Sequence, residues 1–219
     1  METNFPSYGL WSLVIINSAI IIFFAFSFYK PKTDLDWRSL GAFSAFIIAL
    51  FVEMYGFPLT IYLFSGWLQS KFPQTNILAH DNGHLWFTLF GFEGNPHLNP
   101  IHLISNGLVI AGFMLIYKAW RILYASQKQG SLATSGPYSI VRHPQYCGFI
   151  LIMIGFLFMW PTLLTLAMFP MLVFVYIRLA KKEENLVRAE FGSIYDDYAR
   201  DIPAFIPRFS AKSSLRTDA

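Results

Sequence analysis

Four stretches of this chain are too long and too apolar to be surface helices of a water-soluble domain. A helix rises 1.5 Å per residue, so about 20 apolar residues cross the hydrocarbon core of a bilayer. Residues 10–29 carry no charge. Residues 40–64 carry only Glu53, near their middle, and are interrupted by Pro58. Residues 101–120 hold His102 and Lys118 near their ends. Residues 144–177 are too long for one crossing, and "WPT" at 160–162 divides them into two of about 17 residues each, at the lower limit of a span. Lipid offers backbone groups no hydrogen-bond partner, so segments of this kind are read as helices. Composition agrees. Charged residues make up 13% of the chain, about half the usual share for soluble domains, and mean hydropathy is +0.45. A net charge of +3 gives no support to a nucleic-acid partner.

The basic residues order these segments. Lys30, Lys32 and Arg38 lie between the first two spans, and Lys118, Arg121, Lys128 and Arg142 lie between the third and fourth. Eight more follow Ile177. With five spans and the N-terminus outside, all of these fall on one face, and only Lys71 lies on the other. The positive-inside rule makes the basic face cytoplasmic. With four spans, the basic tail would be parted from Arg142 by the bilayer. The expectation is therefore an all-α, multi-pass membrane protein with a cytoplasmic C-terminus. Its spans fall at about 10–29, 40–64, 101–120, 144–160 and 162–177, within a single domain covering 1–207. A polar tail, 208–219, is expected to be disordered. "METNFPSYGLW" lacks the basic n-region of a signal peptide, so the first span reads as a retained helix. Cys147, the single cysteine, rules out an internal disulfide and reads as a small packing residue.

Two polar segments meet on the basic face. "SGPYSIVRHPQYCG" (135–148) joins a Gly136–Pro137 turn to Arg142 and His143. Pro144 then suits the first position of a helix, whose free N–H groups favour an anionic ligand group. On charge alone, a basic membrane anchor with a helix-capping turn is the favoured reading. The second segment (178–207) carries Glu183 and Glu184 behind Lys181 and Lys182. A carboxylate pair can hold a cationic amino group or a ribose diol, although mixed charges more often mark a solvated helix face. Phe191, Tyr195, Tyr198, Ile202 and Phe205 recur at intervals of three or four, the pattern of an amphipathic helix that lies on the membrane or folds over a site. Gly192 and Pro203 interrupt or end it. Because the last two spans form a hairpin, both segments should emerge close together.

Together they resemble the isoprenylcysteine carboxyl methyltransferase and phospholipid methyltransferase superfamily. "GPYSIVRHPQYCG" carries its Gly-Pro-Tyr, Val-Arg-His-Pro, Tyr and Gly. The tail carries a Glu pair, Phe-Gly, two tyrosines and a closing Ile-Pro. The resemblance covers residues 118–207. It implies an enzyme that binds S-adenosylmethionine on the cytoplasmic side and methylates a lipophilic small molecule or lipid. Carried over residue by residue, it places Gly136, Tyr138, Arg142, His143, Tyr146 and Gly148 in one wall of the cofactor pocket. Glu183 and Glu184 face its polar end, and Tyr195 and Tyr198 help close a lid. His143, Arg142 and Glu183 are the candidate catalytic residues. Membrane sterol reductases using NADPH share this architecture, and a non-catalytic scaffold of the same fold is a third reading.

The pattern departs from the prenylcysteine enzymes at one point. They suggest a basic residue one helical turn before the first Glu, where this chain has Leu179; Arg178 lies about 100° further round the helix. A phospholipid amine, a thiol or another small lipophile thus becomes the expected acceptor, rather than a prenylated protein terminus. Glu53 is either functional, as intramembrane carboxylates are by default, or paired to a Tyr or Asn on a neighbouring helix. "HDNGH" sets His80 and His84 four apart, a zinc spacing if helical, but Gly83 and the missing third ligand favour a polar loop, and no metal is expected.

Overall fold

The computed structural model describes residues 7–80, 84, 86, 90–91 and 98–208. Residues 209–219 of the expected polar tail lie outside these, as do Asp81 and Gly83 of "HDNGH". Among the described residues there is no strand, only one isolated bridge between Ser7 and Ala79.

Helix α1 (Trp11–Phe28) is apolar on every side, and most of it faces outward; Phe23 is 72% exposed. Its 18 residues reach about 27 Å, close to the thickness of a bilayer core. Helix α2 (Asp34–Phe51) begins at a capping box. Asp36 N donates to Thr33 Oγ1 at 3.1 Å, and Thr33 N donates back to Asp36 Oδ2 at 3.0 Å. It continues into a π-helical turn, Val52–Gly56. The helix long and apolar enough for the second crossing is therefore Asp34–Gly56, 23 residues, where 40–64 was expected. It starts earlier because the capping box nucleates it before the apolar run begins. It stops earlier because Pro58 excludes its preceding residue from helical backbone; Phe57 is extended. Two short helices follow, α3 (Leu59–Leu63) and α4 (Ser65–Lys71).

Helix α5 (Pro100–Lys128) starts with proline in its first turn and with the Asn99 side chain accepting from His102 N at 2.8 Å. Helix α6 (Pro144–Met159) packs along it. Glycines set that spacing: a Cβ on Gly148 would stand 2.9 Å from Gly112 O, and one on Gly155 would stand 2.9 Å from Ser105 O. Small residues permit this close approach of two helix backbones. Helix α7 (Leu163–Phe191) follows the turn at "WPT", capped by Thr162 Oγ1, which accepts from Thr165 N at 3.2 Å. Gly192, at φ +55°, ends it, and α8 (Ser193–Asp201) leads away.

Four helices, α1, α2 with its π-turn, α5 and α7, are long and apolar enough to cross a membrane. Helix α6, expected as the fourth of five spans, is a shorter apolar helix of 16 residues. The core is aromatic and aliphatic. Phe43, Phe46, Ile47 and Leu50 of α2 meet Phe149, Ile152 and Met153 of α6 and Tyr176 of α7, all fully buried.

Glu53 is 2% exposed. It accepts from Thr60 N at 3.1 Å and from Thr60 Oγ1 at 3.4 Å, while Thr60 Oγ1 accepts from Leu163 N at 2.8 Å. The paired alternative thus describes it, with threonine as the partner. A buried carboxylate is tolerated when it accepts bonds of this kind, and these tie the end of α2 to the start of α7. His80, His84 and His102 gather with Trp160, where His80 stacks on that indole at 4.9 Å and donates from Nδ1 to Met54 O at 2.9 Å. Among the described residues no three His, Cys, Asp or Glu side chains are placed to hold a metal.

Candidate functional site

The hairpin of α6 and α7 decides which residues meet. Pro144 is 16 residues before the turn and Glu183 lies 20 residues into α7, about 24 and 30 Å back along nearly antiparallel rods. The two polar segments therefore arrive at the same end. Glu184 Oε1 accepts from Arg142 Nε at 3.0 Å and Nη2 at 2.8 Å, and lies 2.9 Å from His143 Nε2. The other imidazole nitrogen, Nδ1, stands 3.6 Å from Glu183 Oε2. Tyr146, in the first turn of α6, donates its hydroxyl to Glu183 Oε1. Two cations and two carboxylates thus interlock, and none is more than 21% exposed along its side chain.

The segment after α8 closes over this cluster. Arg142 Nη1 donates to Ala199 O at 2.9 Å and to Ile202 O at 2.6 Å. Arg142 N and His143 N donate to Pro203 O and Ala204 O at 2.9 and 3.1 Å. Phe205 stacks on His143 at 5.5 Å, and its carbonyl accepts from Cys147 Sγ at 3.4 Å. Tyr198 donates to Tyr138 O at 2.7 Å, and Tyr138 in turn donates to Gln145 Oε1 at 3.1 Å. The predicted amphipathic segment is therefore a cover strapped to the junction by Arg142. Every nitrogen of that guanidinium is engaged inside the protein.

The surroundings of His143 favour its charged form. Burial by itself would lower the His143 pKa, but hydrogen bonds and charge from Glu183 and Glu184 outweigh it and hold the pKa above the ordinary histidine value. Burial pushes the Tyr195 and Tyr198 hydroxyls up to about 12, so both stay protonated.

Beside the cluster lies a cleft of about 340 Å³. Of the residues expected around a cofactor, Tyr138, Arg142, His143, Glu183, Glu184, Tyr195 and Tyr198 line this cleft. Tyr146 supports it from behind through Glu183. Gly136 and Gly148 do not line it. Gly136 takes φ +58° against Ile122, and Gly148 serves the contact with α5, where its missing side chain makes room for Ile116. Two carboxylates that sequence reasoning passed over, Asp36 and Glu190, do line it. Asp36 arrives because the capping box turns the chain at the start of α2, and Tyr29 donates to its Oδ1 at 2.8 Å. The one available signal was "TDLD" (33–36), a capping-box spacing that marks a helix start and says nothing of what it faces.

The lining suits a flat, cationic ligand. Asp36, Glu183, Glu184 and Glu190 outnumber Arg142 and His143, which favours a cationic ligand. Leu123, Leu132, Val187 and Phe191 add apolar surface for a ring.

A model of the phospholipid methyltransferase family matches residues 100–194, which contain the junction and the glutamate pair. The resemblance read from the two motifs is thereby borne out. The chain is 38% identical over 119 residues to the nickel-cobalt-cadmium resistance protein NccN of Alcaligenes xylosoxydans xylosoxydans, covering 52% of this chain and 54% of that protein. It is 32% identical over 110 residues to the cobalt-zinc-cadmium resistance protein CzcN of Cupriavidus metallidurans, covering 49% and 50%. Over 211 residues it is 27% identical to methanethiol S-methyltransferase 2 of Bradyrhizobium diazoefficiens, covering 94% of this chain and 62% of that protein. The chain thus spans half to three fifths of the length of these relatives. No solved structure matches it.

Proposed function

We propose that this protein is an integral membrane methyltransferase. It uses S-adenosylmethionine and acts on a lipophilic acceptor at the cytoplasmic face, with the N-terminus outside. The observation that carries the reading is the acidic, aromatic-lined cleft beside the Arg142–His143–Glu183–Glu184 cluster, at the end of an apolar bundle. Likeness to a methanethiol S-methyltransferase along nearly the whole chain supports it.

S-adenosylmethionine would supply a methyl group on a positively charged sulfur. That methyl carbon would be the electrophile for displacement by the acceptor, with the neutral thioether as the leaving group. Such a displacement depends on alignment and exclusion of water. Glu183 and Glu184 would face the cofactor's cationic groups, and Tyr138, Tyr195 and Tyr198 would shield it. Arg142 holds the cover in place, while His143 stands between the two carboxylates, with Nε2 on Glu184 and Nδ1 toward Glu183.

An acceptor carboxylate would find no free cation here, because Arg142 and His143 are already paired and Leu179 is buried in the core. A thiol or amine on a small lipophile or lipid fits the acidic lining better. A thiolate attacks directly, whereas an ammonium must first give up a proton. Calorimetry on the purified protein tests the cofactor. S-adenosylmethionine should bind and NADPH should not, and His143→Ala and Glu184→Gln should each weaken binding by about 1.5–3 kcal/mol. Binding of NADPH alone would favour the reductase reading, and binding of neither would favour a scaffold.

A further inference from the structure

A second cavity lies on the opposite side of α7 from the cleft. It is a groove of about 610 Å³ between α2 and α7, lined by Arg38, Phe174, Val175, Arg178, Leu179, Lys181 and Lys182. Its exposed surface is almost wholly apolar, while its rim holds four cations and no carboxylate. Among the described residues none of the four makes an ion pair. Arg178 is held at the edge by stacking on Phe174, 5.2 Å from the ring centre. Helical spacing separates the two sides: α7 turns Arg178 and Lys182 toward the groove and Glu183, Val187 and Glu190 toward the cleft.

We infer that this groove is a binding site for an anionic phospholipid, with an acyl chain along Phe174, Val175 and Leu179 and the phosphate among Arg38, Arg178 and Lys182. Two helices mark the depth independently. In α7 the apolar run ends at Ile177 and the charges begin at Arg178. In α2 the last charge is Arg38, and the apolar run begins at Leu40. Both therefore pass from charged to apolar at the groove, as they should where headgroups meet hydrocarbon. From Phe174 to Lys182 is about 12 Å along the helix, enough to reach from the upper acyl chain to the phosphate layer. A zwitterionic headgroup would leave its own ammonium among these unpaired cations, so charge selects an anionic lipid. Because Lys182 and Glu183 are consecutive, an occupied groove bears directly on the position of the cleft's carboxylates.

Native mass spectrometry of the full-length protein in detergent tests the inference, with dioleoyl phosphatidylglycerol offered against dioleoyl phosphatidylcholine. Phosphatidylglycerol should be retained preferentially. The double variant Arg38→Gln/Arg178→Gln should weaken that retention by about 10- to 30-fold. Lys181→Gln/Lys182→Gln should weaken it in the same direction, and a matched thermal midpoint shows that either variant is folded. The exposed pair Lys118→Gln/Arg121→Gln, outside the groove, should change nothing. Equal retention of the two lipids, or an equal loss in the Lys118/Arg121 variant, would overturn the site in favour of diffuse surface charge. Displacement of the lipid by millimolar glycerol phosphate would identify a free-phosphate site instead.

Discussion

Arg142 Nε and Nη2 both donate to the same oxygen of Glu184, at 3.0 and 2.8 Å, across 42 residues of sequence. The remaining nitrogen of that guanidinium holds the carbonyls of Ala199 and Ile202. One side chain thus joins the junction, the end of α7 and the cover. Lysine keeps the charge and loses the fork. Arg142→Lys should free residues 193–205, seen as faster amide hydrogen exchange there, with cofactor affinity lowered by about 1.5–3 kcal/mol. Unchanged exchange would mean that the cover holds by apolar contact alone.

His143 makes stability depend on pH in a defined direction. Its folded pKa lies above the unfolded value of about 6.5. The protonated imidazole therefore contributes stability that is fully present below about pH 6.5 and is lost as pH rises through the folded pKa. The gap in thermal midpoint between the native protein and His143→Gln should be widest in mild acid and should narrow with increasing pH. A gap that widens toward alkaline pH would show that the buried histidine is neutral.

Gly148 tests the helix contact apart from the site. Its Cβ would meet Ile116 at 2.5 Å and the carbonyl of Gly112 at 2.9 Å. Backbone cannot yield as a side-chain tip can, so Gly148→Ala should destabilise the protein by about 1–3 kcal/mol. Exposed Gly66→Ala, which meets nothing within 4 Å, is the control in detergent-based unfolding. Loss of cofactor binding by Gly148→Ala at unchanged stability would place this glycine in the pocket after all.

For the acceptor, purified protein with methyl-labelled S-adenosylmethionine can be offered small alkyl thiols, extracted membrane lipids and a farnesylcysteine analogue. Labelling of the thiol or the lipid is expected. Turnover of the farnesylcysteine analogue alone would require a free cation at the site, and would send attention to Arg178 or Lys182.

Topology is open to direct mapping. A reporter fused after Ala219 should be cytoplasmic, and a tag inserted near Gln74 should be accessible from outside. External labelling of the C-terminal reporter on intact cells would invert the arrangement, and with it the proposed face of the cleft.

The apolar runs and the two motifs were readable because each depends on local chemistry. Leu10 to Tyr29 must be helical in lipid whatever surrounds it, Pro144 must sit in the first turn of its helix, and Gly192 and Pro203 must break theirs. The meeting of Arg142 and His143 with Glu183 and Glu184 followed from the same logic, because a hairpin of two rods returns the chain to its starting level. Three things were decided only by tertiary structure. Asp36 reached the cleft, Gly148 turned to Gly112 instead of the cleft, and Glu53 found Thr60. A helical period gives the angle between side chains on one rod. It does not give the rotation of that rod about its own axis, which is chosen by the sum of many small packing contacts with its neighbours. The roles of Asp36, Gly148 and Glu53 depend on that rotation.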